Sequence, residues 1–257
     1  MSKYESSVYS VSPGGVELMT KQMLDSVIRL DDVWKKYEMG GTEPLVVLRE
    51  VSLEIKKGEF VAITGPSGSG KSTMMHIVGA LDKPSWGRVY LKNENVSDLS
   101  ESSLANLRGK TIGFIFQDFN LLPTLSALEN VMIPMELLDM PEKVARDRAG
   151  MLLEMLGLGD RMEHKPNELS GGQQQRVAIA RALANDPEVI LADEPTGNLD
   201  SKTGTFIMDF LGRLNREGGK TVILVTHDLD LVSYAKKVVH IRDGKIDKLI
   251  LNGKHIK

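Results

Sequence analysis

The chain has 257 residues, of which 41% are hydrophobic and 26% charged, with a formal net charge of −3. This composition indicates a globular protein, and the slightly negative charge argues against nucleic acid as a partner. The chain has no cysteine, which excludes disulfides, zinc–thiolate sites and a thiol nucleophile, and no apolar run approaches the roughly 18 residues of a membrane span, so we expect no direct membrane insertion.

Residues 1–26 are predicted to form a flexible N-terminal extension, and residues 27–257 are predicted to form the folded domain. The segment 1–15 is rich in Ser, Gly and Tyr and lacks the apolar stretch of a secretory signal. The extension is interpreted either as a regulatory or docking element or as a dispensable tail. A further alternative is that the natural chain starts at Met23.

An antiparallel β layer is predicted from segments on both sides of the central motif. Val27–Leu30 is interpreted as an edge strand. Val51, Leu53 and Ile55 alternate with polar residues, which is typical of a half-exposed strand. Trp86–Leu91 is predicted as a further short strand of this layer.

The chain is organised around a glycine-rich segment, residues 65–72. It follows Phe60–Thr64, an apolar run typical of a buried parallel strand, and precedes Thr73–Ala80, a predicted helix. This order is the context of a phosphate-binding P-loop, whereas a flexible Gly/Ser linker would not stand between a strand and a helix. The predicted nucleotide-binding residues are Gly65, Pro66, Ser67, Gly68, Ser69, Gly70, Lys71, Ser72 and Thr73.

Two side chains of the P-loop have specific predicted roles. Lys71 has a flexible stem that can reach the β- and γ-phosphates of a nucleotide, and the Ser72 hydroxyl can bind Mg2+. We therefore expect a nucleoside triphosphate with Mg2+ at this segment.

Three later apolar runs are predicted as buried strands, and each is followed by polar residues. These are Ile112–Phe116 followed by Gln117, Val189–Ala192 followed by Asp193 and Glu194, and Thr221–Thr226 followed by His227. Ligands of doubly wound sheets bind beyond the carboxyl ends of the strands. These polar side chains are therefore predicted to converge on the phosphates above Lys71.

The converging residues have chemically distinct predicted roles. Asp193 is predicted to hold Mg2+, and Glu194 to act as the general base for water. Gln117 can offer its carbonyl oxygen to Mg2+ and its amide to the attacking water, and His227 can bridge the γ-phosphate and that water. On its own, a Gln or His at a strand end would be an ordinary structural residue, so these roles depend on the combination.

From about residue 120 to 170 the pattern changes to helices, which predicts an inserted helical subdomain. One apolar face consists of Ala145, Ala149, Leu152, Leu153 and Leu156. Gly157 is predicted to end that helix. A second helical face consists of Phe206, Ile207, Phe210, Leu211 and Leu214. Ile241–Ile246 is predicted to be a hairpin with an Asp-Gly turn.

A second glycine-containing motif, Leu169–Gln173, precedes an alanine-rich helix pattern at Val177–Leu183. Ser170 is a good N-cap, and Gly171 and Gly172 leave the helix N-terminus open to an anion. The motif is interpreted as a second phosphate-binding surface. The alternative is an ordinary capped helix start.

In order and spacing, these motifs resemble those of an ABC transporter ATPase subunit. The resemblance covers Val27 to Gly244 and rests on residues 65–72, Gln117, 169–173, 189–194, 198–200 and His227. It implies an α/β fold with a P-loop NTPase core, an antiparallel β layer and an inserted α-helical subdomain. It also implies ATP and Mg2+ as cofactors and ATP hydrolysis as the activity.

The resemblance implies further site residues. Residues 170–173 would contact the γ-phosphate of ATP held by the P-loop of a second copy, which implies a homodimer. Asp200 would lie in the D-loop between the two sites, where Asn198 replaces the commoner Ser or Ala. Tyr37 would stack on adenine, with Trp34 as the alternative.

Segments 113–117, 120–131 and 193–200 resemble the lipoprotein-release and macrolide-export branch of the family. In the family, the segment after Gln117 forms a groove for a coupling helix of the permease. Such a groove would be lined by Leu121, Leu122, Leu125 and Leu128, although these leucines would equally suit a self-packed helical subdomain. The resemblance implies an integral-membrane permease as partner and a peripheral position on the cytoplasmic face of the membrane.

The predicted function is ATP hydrolysis that drives a permease, in export or in lipoprotein- or lipid-type extraction. One alternative is a soluble ABC ATPase that works on DNA or ribosomes, but such relatives carry coiled coils or tandem cassettes, and this chain has one P-loop and no sustained heptads. The other is the ATPase of a non-transporting membrane complex, such as a cell-division or mechanotransmission assembly.

Overall fold

The computed structural model describes residues 25–38, 40, 43–251 and, for the backbone alone, 254–256. The predicted N-terminal extension therefore lies outside the described residues, apart from Asp25 and Ser26. The described part forms a four-stranded sheet, a seven-stranded sheet and six α-helices.

The strands are β1 (Ser26–Tyr37), β2 (Leu45–Lys56), β3 (Phe60–Thr64), β4 (Trp86–Leu91), β5 (Glu94–Asn95), β6 (Ile112–Ile115), β7 (Val189–Asp193), β8 (Thr221–Val225), β9 (Lys237–Arg242), β10 (Lys245–Leu251) and β11 (Lys254–Ile256). The smaller, antiparallel sheet has the order β2-β1-β4-β5, so β1 pairs on both sides. The prediction of Val27–Leu30 as an edge strand is therefore wrong, because this segment begins an interior strand. The predicted half-exposed strand is confirmed, since Val51, Leu53 and Ile55 are buried in β2 while Ser52 is exposed.

The larger sheet has the order β11-β10-β9-β3-β8-β7-β6. Its five strands from β9 to β6 pair in parallel, and β3 and β8 are buried at every residue. This burial explains their uninterrupted apolar runs, because both faces of a parallel sheet are covered. The predicted hairpin is confirmed: Arg242 pairs with Lys245, and Asp243 and Gly244 have positive φ values of 49° and 76°.

The helices are α1 (Lys71–Val78), α2 (Glu101–Thr111), α3 (Ala127–Glu136), α4 (Glu142–Met155), α5 (Gly171–Leu183) and α6 (Ser201–Arg216). Helix α1 begins and ends two residues earlier than predicted. Ala80 has a positive φ of 51°, a conformation that a right-handed helix cannot continue. Among the described helices, none combines the length and the hydrophobicity needed to cross a bilayer.

The helical segment packs on α5 and on the core behind it. Ala145, Ala149 and Leu153 are buried, which confirms the predicted face of α4. Leu128 is buried as well, and Leu121 packs against the same cluster. For these two leucines the prediction of a groove lining is wrong and the self-packing alternative holds.

One buried amide closes the loop that carries the other two leucines of that prediction. The Asn130 side chain accepts from the N–H of Leu122 at 2.8 Å and donates to the carbonyls of Leu122, Leu125 and Ser126. The loop is therefore tied to α3 by its backbone, and Leu122 remains about half exposed.

The predicted apolar face of α6 is confirmed except at Phe206. Ile207, Phe210 and Leu211 are buried, whereas the Phe206 ring is 45% exposed and lies 5.9 Å from the Arg176 guanidinium. Its apolar character marked it as core, but its helical position lies at the margin of the buried stripe.

Strand β6 packs closely on helix α5 at Gly113, where an added Cβ would stand 2.2 Å from the Ala182 carbonyl oxygen. We expect Gly113→Ala to lower the free energy of unfolding by about 1–3 kcal/mol, because relief of the clash must displace a strand or a helix of the core. The matched control is Gly150→Ala on α4, whose Cβ would only meet Met162 at 3.6 Å. Thermal unfolding of the two variants is the measurement, and equal melting temperatures would contradict the expectation.

Candidate functional site

The P-loop connects β3 to α1 and is held tightly against the neighbouring strand. At Gly65, φ is 150° and an added Cβ would lie 2.1 Å from the Ile241 carbonyl oxygen, so only glycine fits. The Lys71 ammonium donates to the carbonyls of Gly65 and Pro66, each at 2.9 Å. The lysine therefore lies over its own loop.

One orphaned polar atom indicates what the loop can bind. Ser69 is buried, and its Oγ has no hydrogen-bond partner among the described residues. A Cβ built on Gly65 would come within 2.8 Å of this Oγ, so the hydroxyl lies beside Gly65. A buried hydroxyl without a partner, in a glycine-rich loop that leads into a helix N-terminus, fits an anionic ligand such as a phosphate.

Three of the four predicted strand-end residues come together. Gln117, Glu194 and His227 line one pocket of about 250 Å3. His227 donates from Nδ1 to Glu194 Oε1 at 2.7 Å. Glu194 has a positive φ of 43°, which is strained for a residue with a side chain, and its N–H donates to the Val225 carbonyl at 2.9 Å. The carboxylate is thus fixed by both its backbone and its imidazole partner.

Asp193 is the last residue of β7 and stands directly before Glu194. Burial and the adjacent Glu194 raise the pKa of Asp193, while the charges of His76 and Lys71 oppose this rise. The two neighbouring carboxylates, the Ser72 hydroxyl and the Gln117 amide all offer hard oxygen donors. This donor set fits Mg2+, which prefers oxygen ligands and would relieve the repulsion.

Tyr37 lies at the end of β1, beside the P-loop helix. Its hydroxyl donates to Asp82 Oδ2 at 3.1 Å, and its side chain also contacts Thr73. Burial, with a contribution from Asp82, raises the pKa of Tyr37. Tyr37 is 36% exposed, so part of the residue remains accessible beside the P-loop helix. Trp34, the alternative, is half-buried in the same strand.

Ser170 begins α5 as an N-cap, as predicted. Its hydroxyl accepts from the Gln173 N–H at 3.3 Å, and Gln173 in return accepts from the Ser170 N–H at 2.8 Å. Cβ atoms built on Gly171 and Gly172 would meet Phe119, Leu199 and Thr203. The contacts of these two glycines thus lie with the segment after Gln117 and with the start of α6 and the residues before it, and not with the P-loop of the same chain.

Asp200 is the N-cap of α6. It accepts from the Thr203 N–H at 3.0 Å and from the Thr203 hydroxyl at 2.7 Å, and these hydrogen bonds lower the pKa of Asp200. The side chain is therefore occupied within its own chain.

Gln175, which the sequence motifs do not single out, is fully buried. Its amide donates to the Pro195 carbonyl at 2.7 Å and to the Phe116 carbonyl at 3.4 Å. One side chain thus joins α5 to the residues next to Glu194 and Gln117. A glutamine at a core position of an otherwise apolar helical face was the signal that could have indicated such a role.

Comparisons with known proteins identify relatives of this chain. A family model described as ABC transporter matches residues 48–197. An uncharacterized ABC transporter ATP-binding protein of Thermotoga maritima is 54% identical over 230 residues, which are 90% of this chain and 97% of that protein. The macrolide export ATP-binding/permease protein MacB of Hyphomonas neptunium is 53% identical over 224 residues, which are 87% of this chain but 34% of that protein.

A solved structure is similar over nearly the same span. The ATP-binding cassette MJ0796 of Methanocaldococcus jannaschii, described as a dimer in a post-hydrolysis state bound to ADP and Pi, has 50% sequence identity and a TM-score of 0.82. The alignment covers 88% of this chain and 98% of that chain.

The raised pKa of Asp193 has a consequence for stability. The folded chain holds this proton more tightly than the unfolded chain, so ionisation penalises folding as the pH rises above the ordinary value of 3.8. Without nucleotide and Mg2+, we expect Asp193→Asn to raise the melting temperature at pH 7, with a gain that shrinks as the pH falls toward that value. Asp147→Asn on the exposed face of α4 is the control. A gain that is absent or independent of pH would contradict this expectation.

Proposed function

This chain belongs to the ABC transporter ATP-binding family, and we propose that it is the ATP-hydrolysing subunit of a transporter whose membrane permease is a separate chain. The predicted family, its α/β fold and its enzyme class are confirmed: the chain is an ATPase that binds ATP with Mg2+. Its similarity to macrolide-export proteins also agrees with the predicted branch.

The observation that carries the catalytic proposal is the 2.7 Å hydrogen bond between His227 and Glu194 in the pocket shared with Gln117. Glu194 acts as the general base that orients water and accepts its proton. His227 fixes the carboxylate and would contact the γ-phosphate of a bound nucleotide. When bound, Mg2+ neutralises charge that develops on the phosphate oxygens, and its ligands are Ser72, Gln117 and Asp193.

The nucleotide is held by the P-loop, residues 65–73, with adenine stacked on the Tyr37 ring. In support, the Ser69 hydroxyl is buried without a partner in the described part of the chain. Lys71 leaves its loop carbonyls and turns to the phosphates, since phosphate oxygens are stronger acceptors for an ammonium than neutral carbonyls.

Two copies of the chain form the working unit. The motif at 170–173 has its recorded contacts away from the P-loop of its own chain, and its open helix N-terminus suits the γ-phosphate held by the partner. Asp200 then lies between the two sites. ATP favours the closed dimer because it touches both copies, and hydrolysis removes the contact that they share. The dimeric MJ0796 structure supports this arrangement.

A groove of about 600 Å3 next to the Gln117 segment is the proposed permease site. Its apolar lining includes Ile112, Phe114, Phe116, Pro134, Leu137 and Leu138. It lies between α2, β6 and the end of α3, and not on the leucines first predicted. An apolar helix of the permease suits such a groove, and the MacB relative is named as an ATP-binding and permease protein in one chain.

This docking places the subunit peripherally on the cytoplasmic face of the membrane. Choice of cargo then belongs to the permease, because the nucleotide site accounts for the chemistry that the chain displays. We propose export or extraction of a lipid-type molecule as the transport reaction, in keeping with the branch that the chain resembles.

We expect Glu194→Gln to retain ATP binding and dimer formation but to lose hydrolysis by about 10^2–10^4-fold, because the amide cannot accept the proton. ATPase rates and light scattering with ATP are the measurements. Glu217→Gln, an exposed change beyond α6, is the control and should keep the native rate. Hydrolysis by Glu194→Gln at the native rate would assign the base to another residue.

We expect Leu137→Glu to abolish permease binding and leave basal ATP hydrolysis intact. Leu137 is 77% exposed on the rim of the groove, so the new carboxylate stays hydrated in the free subunit but would be buried against an apolar helix. The control is Met151→Glu, which adds the same charge at a 69% exposed position of α4.

The binding test uses tagged subunits and membranes solubilised from the source cells. An integral-membrane protein retained by the native chain and by Met151→Glu, but not by Leu137→Glu, is the expected result. Equal retention by all three would contradict docking at this groove. Reconstitution of the identified complex then distinguishes a transporter, which moves a solute with ATP, from a non-transporting assembly.

A further inference from the structure

Asn198 lies in the segment that connects β7 to α6 and reaches across to the residues after β6. Its Nδ2 donates to the Gln117 carbonyl and to Asp118 Oδ1, each at 3.2 Å. Its Oδ1 accepts from Gln117 Nε2 at 3.4 Å. A single side chain thus engages both the backbone and the side chain of Gln117.

These partners determine which way the Asn198 amide points. A backbone carbonyl and a carboxylate can only accept hydrogen bonds, so the NH2 group of Asn198 must face them. Its oxygen is then the atom that faces the Gln117 side chain. An amide oxygen can only accept a hydrogen bond, so the Gln117 amide in turn presents its NH2 group to Asn198.

The orientation passes on to the pocket. With Nε2 of Gln117 directed at Asn198, Oε1 is the amide atom left for the pocket that Gln117 shares with Glu194 and His227. Gly197 makes room for this arrangement, because a Cβ there would lie 2.9 Å from Gln117 Nε2. Mg2+ binds amides through oxygen, so the opposite orientation would present the wrong atom.

We propose that Asn198 is a positioning residue that sets the Gln117 amide with its oxygen toward the metal. This inference rests on the proposed role of Gln117 as a Mg2+ ligand. A purely conformational role for Asn198 as a turn residue makes a different prediction, because Asp forms the same turns as Asn and has nearly the same shape.

The test is Asn198→Asp, measured as the gain in affinity for a fluorescent ATP analogue when Mg2+ replaces EDTA. The new carboxylate at position 198 cannot donate to the Gln117 carbonyl, and it repels Asp118. The side chain at position 198 therefore moves away from Gln117. We expect the Mg2+-dependent gain to fall on the order of 10-fold, the usual effect of losing a residue that orients a metal ligand. Affinity in EDTA should stay native.

The matched control is Asn93→Asp, in the turn between β4 and β5. Asn93 is exposed and follows Lys92, which pairs with Glu188 before β7, so it belongs to the opposite end of that strand from Asp193. It should keep the full Mg2+-dependent gain. If Asn198→Asp fails to fold, Asn198→Ala takes its place, since it removes the same hydrogen bonds without adding a charge, and a reduced gain is again expected.

A second change tests the pairing itself. In Asn198→Asp combined with Asp118→Asn, the new amide at 118 can donate to the carboxylate at 198, whose other oxygen still accepts from Gln117. We expect most of the Mg2+-dependent gain to return. A native gain in the single variant, or no recovery in the double variant, would overturn the positioning role.

Gln117→Ala separates this inference from the function on which it rests. If Gln117→Ala keeps the full Mg2+-dependent gain, Gln117 is not a metal ligand and the proposed site is wrong. If Gln117→Ala loses that gain but Asn198→Asp does not, the metal site stands and only the role of Asn198 is wrong.

Discussion

The register of the central parallel strands is the constraint on which this site depends. Ile63 and Asp193 both stand level with Val225, and Ile115 stands level with Ala192 one step earlier. The residues that follow these positions therefore emerge at one edge of the sheet. A slip of one residue would move a side chain by about 3.3 Å along its strand, which is more than a hydrogen bond tolerates.

Electrostatics and backbone strain concentrate at that same edge. Asp193 and Glu194 are adjacent carboxylates, and burial makes the charge of Asp193 costly. Glu194 adopts a left-handed backbone conformation, which costs about 1–3 kcal/mol for a residue with a side chain. The surrounding sheet tolerates both costs because β3 and β8 are buried at every residue and are paired on both sides, as is β7. A site with this much repulsion is suited to a divalent cation and a polyanion together.

Most of the strands and helices, and the strand-end residues of the candidate site, could be predicted from the sequence for a physical reason. Phe60–Thr64 and its parallel neighbours are continuous apolar runs, and a polar residue directly after such a run must emerge at the strand end. Gln175 escaped attention because its role comes from two carbonyls that are distant in sequence, those of Phe116 and Pro195. No local sequence pattern indicates that these two carbonyls contact the same side chain.

The errors have related causes. Val27–Leu30 looked like an edge strand because pairing partners cannot be counted from one segment. Leu121 and Leu128 are apolar, so they suited a groove and a core equally well. They pack into the core because the loop folds back on Asn130. Tertiary packing decides such cases, since hydrophobicity alone does not say which apolar surface remains uncovered.

Arg181 ties helix α5 to the segment that follows β6. Its guanidinium donates to the Phe119 carbonyl at 2.7 Å and to the Asn120 carbonyl, and it borders the groove. Ser170 caps the opposite end of the same helix, roughly 15–20 Å away by the rise of an α-helix. Helix α5 therefore connects the groove, at its C-terminal half, to the capped N-terminus at Ser170.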